Sequence, residues 1–318
     1  MATRGVVNMR GILSARSVVW RASMVIGLAI VVVLVVLFSF SHIIHSSSPQ
    51  KNLCVPESET PSSAVKDAYD RQVLSLAPVL YLPLAPPWTG TANDLSRSDY
   101  SSAYLPAGHP PATVKLPNGD SAASFNGVNQ YVQVPSESTL SVPHTGCLTV
   151  QAWIDPATLQ FSHETGTGYV YLLGKGTPGT QEYALRMYSH SNTEDPVRPN
   201  RISAYAFNLS GGLGSGSYFQ DPVTVGQWIM VTMVIDDQAS SSWPDGYIAI
   251  YKNAILRGRV SLGQYHVKPQ AADAPFRIAT RDLESYFQGG IAKVAVYDYV
   301  LSTADIAATY NAMIPAGS

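Results

Sequence analysis

Apolar residues follow two rhythms along this chain. From Ala22 to Phe40 they run continuously, broken only by Ser23 and Ser39, with a Val/Leu/Ile core from Val25 to Phe38. A run of that length, at roughly 1.5 Å per residue, matches a hydrocarbon core of about 30 Å. No polar face interrupts it, unlike a helix that covers a soluble core. Arg4, Arg10, Arg16 and Arg21 precede it without an acid among them, and Trp20 stands where an interfacial anchor would. The positive-inside rule then makes 1–21 a cytoplasmic basic N-terminus, 22–45 a transmembrane signal anchor, and everything beyond it extracytoplasmic. A cleaved signal peptide is the competing reading. It would need an unusually long apolar region, and Ser41-His42-Ile43-Ile44-His45 is a poor cleavage site. The expected location is the plasma membrane, single-pass.

A polar, Pro-containing stalk follows, and 46–68 holds it together with the start of a short lead-in helix. Thr60 offers an N-cap and Pro61 a first-turn proline, while Ala64, Ala68, Tyr69, Val73 and Leu76 recur at helical spacing, which predicts a helix over 61–76. Beyond Pro78 the period changes to two. Strands are predicted over 79–84, 131–134, 148–155, 169–174, 183–188, 202–207, 228–236, 247–251, 276–280 and 291–297. In 148–155 one face carries Leu148, Val150, Ala152 and Ile154, and the other Thr149, Gln151, Trp153 and Asp155. Ile229, Val231, Met233 and Ile235 alternate with Trp228, Met230, Thr232 and Val234, an almost wholly apolar pair of faces that marks a central strand. Near the end, Ser302 and Asp305 form a capping box ahead of an apolar stripe of Ile306, Tyr310 and Met313. Many short strands without long helices between them predict an all-β, two-sheet antiparallel sandwich over 69–318, as one domain.

Composition sharpens this. The net charge is -2 and 13% of residues are charged, which gives no footprint for nucleic acid. Of the two cysteines, Cys54 and Cys147, both fall outside the membrane in this topology, where a disulfide is permitted. The alternatives are a bridge between them, or a buried unpaired Cys147 with a free or intermolecular Cys54.

Five stretches resemble one family. Residues 69–84 (YDRQVLSLAPVLYLPL) look like its leading helix and first strand, and Phe125 to Val134 resembles its F-x-G-x-x-x-Y-V-x-V hairpin. Residues 148–156 (LTVQAWIDP) resemble its T-V-x-A-W-V-x-P strand. Gly226-Gln227-Trp228 with VTMVID, and the hairpin over 246–255, resemble its W-x-x-V-A-x-T-Y-D region. Residues 287–302 (FQGGIAKVAVYDYVLS) resemble its closing signature. The chain is similar, over about Tyr69 to Met313, to laminin-G-like jelly rolls of the concanavalin A-like lectin/glucanase superfamily. The resemblance implies two stacked sheets, a glycan or surface protein as partner, and in some members a calcium ion at the sheet rim. Where members often carry aspartates this chain has Asn126, Asn129 and Ala292, and fewer carboxylates weaken the calcium inference. Asp236, Asp237 and Asp245 are the ligands it would offer; no other cofactor is implied.

Enzymes of this fold are the rival class. Retaining glucanases need paired carboxylates about 5 Å apart on one strand, and no E-x-D-x-x-E run is present. Glu194-Asp195 are adjacent, and so point apart in a loop before Pro196. Tyr286 to Gly290 superficially resembles an alginate-lyase strand, without recognisable His, Gln and Arg partners. The seven histidines do not pair at metal-ligand spacing. Gly211 to Gly216 lacks the Lys-Ser/Thr of a phosphate loop and reads as a flexible hairpin tip. Asn208-Leu209-Ser210 is a glycosylation sequon.

For binding, exposed aromatics can stack on the CH face of a sugar. Trp153 and Trp228 fall on motif positions that pack internally in the family. Trp243 and Trp88 lie in loops and are candidates; Tyr188, Tyr205, Tyr218, Arg186 and Arg201 could line one sheet face. The expected function is a non-catalytic, membrane-anchored binding module. A glycan-cleaving enzyme and an architectural protein-interaction domain are the alternatives.

Overall fold

The structure is a computed structural model and describes residues 67–314. The chain divides into units 1–51 and 52–318, and every described residue belongs to the second. The predicted anchor over 22–45, most of the stalk and Cys54 lie outside the described residues. Among the described residues no helix is long and apolar enough to cross a membrane.

Helix α1 spans Ala68–Ser75 and is capped by Asp67, whose carboxylate accepts from the Asp70 N–H at 2.8 Å. The predicted helix is observed over Ala68–Ser75, with Asp67 extended as its N-cap, and its first residues, 61–66, lie outside the described residues. Fifteen strands follow: β1 Leu80–Leu82, β2 Ala103–Leu105, β3 Ala112–Lys115, β4 Ser121–Asn126, β5 Tyr131–Val134, β6 Cys147–Pro156, β7 Tyr169–Thr177 and β8 Thr180–Tyr188. Next come β9 Ile202–Ala206, β10 Ser215–Tyr218, β11 Ile229–Asp236, β12 Tyr247–Lys252, β13 Ile255–Ser261, β14 Phe276–Ile278 and β15 Gln288–Tyr297, before helix α2 over Thr303–Met313.

They form two antiparallel sheets. The eight-stranded sheet runs β13-β12-β11-β6-β15-β4-β3, with β1 also on β15; the seven-stranded sheet runs β10-β9-β8-β7-β14-β5-β2. The apolar face of β6 read from the sequence (Leu148, Val150, Ala152, Ile154) meets Leu185, Ile202 and Phe276 of the other sheet in the main core. As its two-sided pattern predicts, β11 is interior, between β12 and β6.

The outer face of the eight-stranded sheet is closed by both helices. Trp153 donates its ring N–H to the Tyr69 hydroxyl at 3.0 Å and stacks on Tyr310 of α2, ring centroids 5.7 Å apart. Ser302 and Asp305 make the expected capping box. Beside α1, Lys293 sits at a β15 irregularity with φ of 52°, 3% exposed, and its ammonium meets Asp70 at 2.7 Å, Asp120 at 2.9 Å and Asp67 at 3.2 Å. That cluster ties the lead-in helix, the β3–β4 turn and the closing strand together.

Candidate functional site

Among the described residues, no helix covers the outer face of the seven-stranded sheet. Register places side chains there: Tyr169 of β7 stands opposite Tyr188 of β8, Tyr171 opposite Arg186, Arg186 opposite Ser203 of β9, and Tyr205 opposite Gly216 of β10. These rings form an apolar cluster of their own, separate from the main core. Over it lies an open cavity of about 660 Å³, lined among others by Tyr169, Arg186, Arg198, Tyr205, Phe207 and Tyr218.

Arg186 is the centre of this face. It is 9% exposed, and its guanidinium carbon lies 4.4 Å from the Tyr169 ring centroid, 4.5 Å from that of Tyr205, 5.0 Å from Phe207 and 5.2 Å from Tyr171. Cation–π attraction strengthens when the cation is desolvated. Its Nη2 donates to the Tyr171 hydroxyl at 3.3 Å, while its Nε has no partner among the described residues. Arg198 reaches in from the β8–β9 loop and donates from Nη1 to the hydroxyls of Tyr188 (3.2 Å) and Tyr205 (3.0 Å), with its guanidinium over the Tyr218 ring at 4.2 Å. The two phenol oxygens are themselves 2.9 Å apart. Burial pushes the Tyr169 and Tyr205 phenols well above the usual range, so both stay protonated at neutral pH.

Two loops make the walls. Buried Asn192 accepts the Arg198 N–H at 2.9 Å and donates to the Thr167 carbonyl at 2.8 Å, which fixes the β8–β9 loop. Thr167 also donates to Glu194, whose other oxygen lies 4.0 Å from Arg198. On the far side, Asn208 donates to the His266 carbonyl at 3.1 Å and accepts from the Lys268 N–H at 2.8 Å. The sequon amide thus makes a hydrogen bond at a partly exposed position. Leu213, 72% exposed, and Tyr265, 41%, stand at the mouth.

The glycine-rich stretch turns between β9 and β10 as a hairpin tip over 211–214, but its end departs from that reading. Ser215 to Tyr218 form β10, and Gly214 and Gly216 lie under aromatic rings: a Cβ at Gly214 would come within 2.5 Å of the Phe207 ring, and one at Gly216 would run into that of Tyr205. Glycine is needed there for space.

The structure brings Arg186, Tyr188, Tyr205 and Tyr218 together. Tyr188 is fully buried and acts beneath the surface through its hydroxyl. Arg201 does not line the cavity; it is half-buried at the start of β9, where its carbonyl accepts from the Tyr188 N–H. Trp88 and Trp243 also lie elsewhere. Trp88 packs edge-on against Tyr104 at 5.2 Å and leans on the main core. Trp243 sits in the β11–β12 loop against Tyr247 at 5.5 Å, with Arg259 5.8 Å from its ring. Both rings remain partly exposed at sites apart from the cavity. Sequence reasoning missed Arg198, which follows Pro196 in a loop where no periodicity reports direction. It also missed Tyr169, Tyr171 and Phe207 as site residues, although period two puts Tyr169 and Tyr171 on one face.

Asp236 ends β11 and accepts the Gln238 N–H at 3.0 Å; Asp237 follows, and Asp245 lies in the next loop. Burial raises the carboxyls of Asp236 and Asp237 above the ordinary range. Among the described residues no three His, Cys, Asp or Glu side chains converge as a metal set. Cys147 is buried and disulfide-bonded, and Cys54, the other cysteine, is not among the described residues.

Comparisons with known proteins bear on the fold. No curated protein matches the chain. Among solved structures it is similar to the binding domain of Paraclostridial Mosquitocidal Protein 1, at 10% identity and TM-score 0.55, over 74% of this chain and 52% of that one. It is similar to the binding domain of botulinum neurotoxin DC, solved in complex with SialylT, at 11% identity and TM-score 0.51, over 74% of this chain and 52% of that one. Domain 4 of AbnA, a GH43 extracellular arabinanase from Geobacillus stearothermophilus solved in complex with arabinotriose, aligns at 14% identity and TM-score 0.47, over 69% of this chain and 92% of that one. The chain thus spans about half the length of the two toxin binding domains, and the likeness is one of fold. The laminin-G-type profile described as concanavalin A-like lectin/glucanases superfamily matches residues 126–307, more than half the chain, and the protein belongs to that family.

Proposed function

We propose that the protein is a non-catalytic binding module that holds a saccharide on the outer face of its seven-stranded sheet, carried at the membrane by an anchor over 22–45. One observation carries the reading. The eight-stranded sheet is closed outside by two helices, while its partner keeps an open cavity of about 660 Å³, within the range of ligand sites. Its lining suits a sugar: flat phenol and phenyl rings meet CH faces, and phenol and guanidinium groups meet hydroxyls. Glu194 in the wall is already engaged by Thr167 and lies 4.0 Å from Arg198, which favours a structural role over that of a catalytic acid.

A glycan array probed with the full-length chain, with calcium and then with chelator, tests this. Saturable binding that Tyr218→Ala weakens about tenfold or more supports the reading. Binding that Tyr218→Ala leaves unchanged, or no binding in either condition, overturns it. The chelator arm decides whether calcium takes part.

A further inference from the structure

The charges on this face are unevenly matched. Arg198, Arg186, Arg281 and Arg277 lie along the same outer surface from β9 towards β14, linked through Tyr171 and the Arg281 backbone. Arg281, 2% exposed, donates from Nη2 to the Tyr171 hydroxyl at 2.8 Å, and Arg277 donates from Nη1 to the Arg281 carbonyl at 2.7 Å. Their acids are few. Arg198 has Glu194 at 4.0 Å, and among the described residues Arg186, Arg277 and Arg281 form no ion pair. Asp282 adds some attraction for Arg277, yet burial and the neighbouring Arg281 hold that guanidinium below its usual range. The positive charge is also poorly compensated within the sheet: Nε of Arg186, Nε of Arg198, and Nε and Nη1 of Arg281 are buried and have no hydrogen-bond partner among the described residues. An anion placed at the accessible edge of this cluster would offset charge that the protein itself leaves unbalanced.

Resting on the saccharide reading above, we infer that the cavity takes an acidic saccharide, with its carboxylate or sulfate group set against Arg198 and Arg186. Rings packed round the Arg186 guanidinium take up its faces, Nε is closed off and Nη2 is on the Tyr171 hydroxyl, which leaves the Nη1 edge to meet an oxyanion held beside Arg198. Removal of water from the cavity on binding strengthens this attraction, because opposite charges interact more strongly as the local dielectric falls. The aromatic walls favour a sugar carrier over a free ion or a lipid headgroup, since Tyr169, Tyr205 and Tyr218 would meet nothing in those. The excess is local: the whole chain carries a net charge of -2, so it offers no general attraction for polyanions.

The test is titration of the immobilised full-length chain with oligogalacturonate and hyaluronan hexasaccharides, each beside its carboxyl-reduced counterpart. Sulfated keratan hexasaccharide beside its desulfated form distinguishes sulfate from carboxylate, and vesicles of phosphatidylglycerol form a separate arm. The expected result is binding of an acidic sugar at least about tenfold tighter than its neutral counterpart, lost in Arg198→Gln and weakened by salt. Equal binding of acidic and neutral forms, still sensitive to Tyr218→Ala, overturns the anionic inference and leaves the saccharide site standing. Vesicle capture without sugar binding, or no binding in any arm, overturns both. Arg186→Lys supplies a second variant that keeps the charge and loses the planar fork, and should weaken the acidic sugar selectively while leaving the melting temperature within a few degrees.

Discussion

Gly216 stands opposite Tyr205 in the β9–β10 register, and a Cβ there would run into the Tyr205 ring. Gly216→Val therefore lifts that ring and parts its hydroxyl from Arg198. The expected outcome is a loss of ligand affinity of about tenfold, the equivalent of one hydrogen bond and its ring contact, with the fold retained. Titration of the variant against wild type checks it, and unchanged affinity would sink the assignment of Tyr205 to the site. Lys293 poses a different residue-scale question. Burial alone would lower its ammonium, but Asp70, Asp120 and Asp67 outweigh burial and hold it above the ordinary lysine value. A raised folded value means that the cluster's stabilisation is fully present below the unfolded value, about 10.4, and drains away as the pH climbs through the folded one. The urea midpoint should therefore hold from neutral pH to about pH 10 and fall above it, as far as Lys293 contributes. Lys293→Met strands the buried Asp70 carboxylate and should cost about 3–5 kcal/mol at pH 7. A loss under about 1 kcal/mol would show the cluster to be no anchor.

At the level of elements, α2 is held at its start by the Ser302–Asp305 capping box and along its side by Tyr310 on Trp153. Ser302→Ala should cost about 1 kcal/mol, seen as a lower urea midpoint with an unchanged slope. The capping box and ten strands were legible because each has a strong local signature: a Ser-x-x-Asp start, or alternation flanked by turn residues. Five strands were not. β2 has three residues, and β3, Ala112–Lys115, lies at an edge with mostly exposed side chains. β4, inside the sheet between β15 and β3, reads SAASFN, mostly small residues, while of the edge strands β10 reads SGSY and β13 carries Arg257, Gly258 and Arg259 at its middle. At edges, pairing to a neighbour rather than burial of an alternating face makes the strand, so the hydrophobic pattern is silent. The same reason explains the site. Tyr188, Tyr205, Tyr218 and Arg186 sit on strands, where period two fixes direction, whereas Arg198 is aimed by Asn192 and Thr167, a tertiary arrangement that no spacing encodes.

On the scale of the whole molecule, compartment, topology and covalent chemistry make a joint claim. On the proposed topology, the four arginines before the apolar run would put residues beyond 45 outside, where thiols oxidise. Cys147 at the head of β6 is disulfide-bonded, and the proposal is that it pairs with Cys54 of the same chain. A bridge between those positions closes a loop on the order of 90 residues, worth roughly 4–5 kcal/mol in the chain-entropy account. In membranes prepared without reductant, the protein should take up no maleimide polymer until reduced, then two per chain. Cys54→Ser should take one without reduction and melt at a lower temperature, and wild type treated with reductant should shift by the same amount. An intermolecular bridge would appear instead as a dimer on a non-reducing gel, abolished in Cys54→Ser. Labelling of both thiols without reductant would place the sandwich in a reducing compartment and remove the orientation argument along with the bridge. Oxidation in the full-length chain and reduction in a variant that lacks 22–45 and stays in the cytosol would make the anchor the element that delivers the fold to where its staple forms.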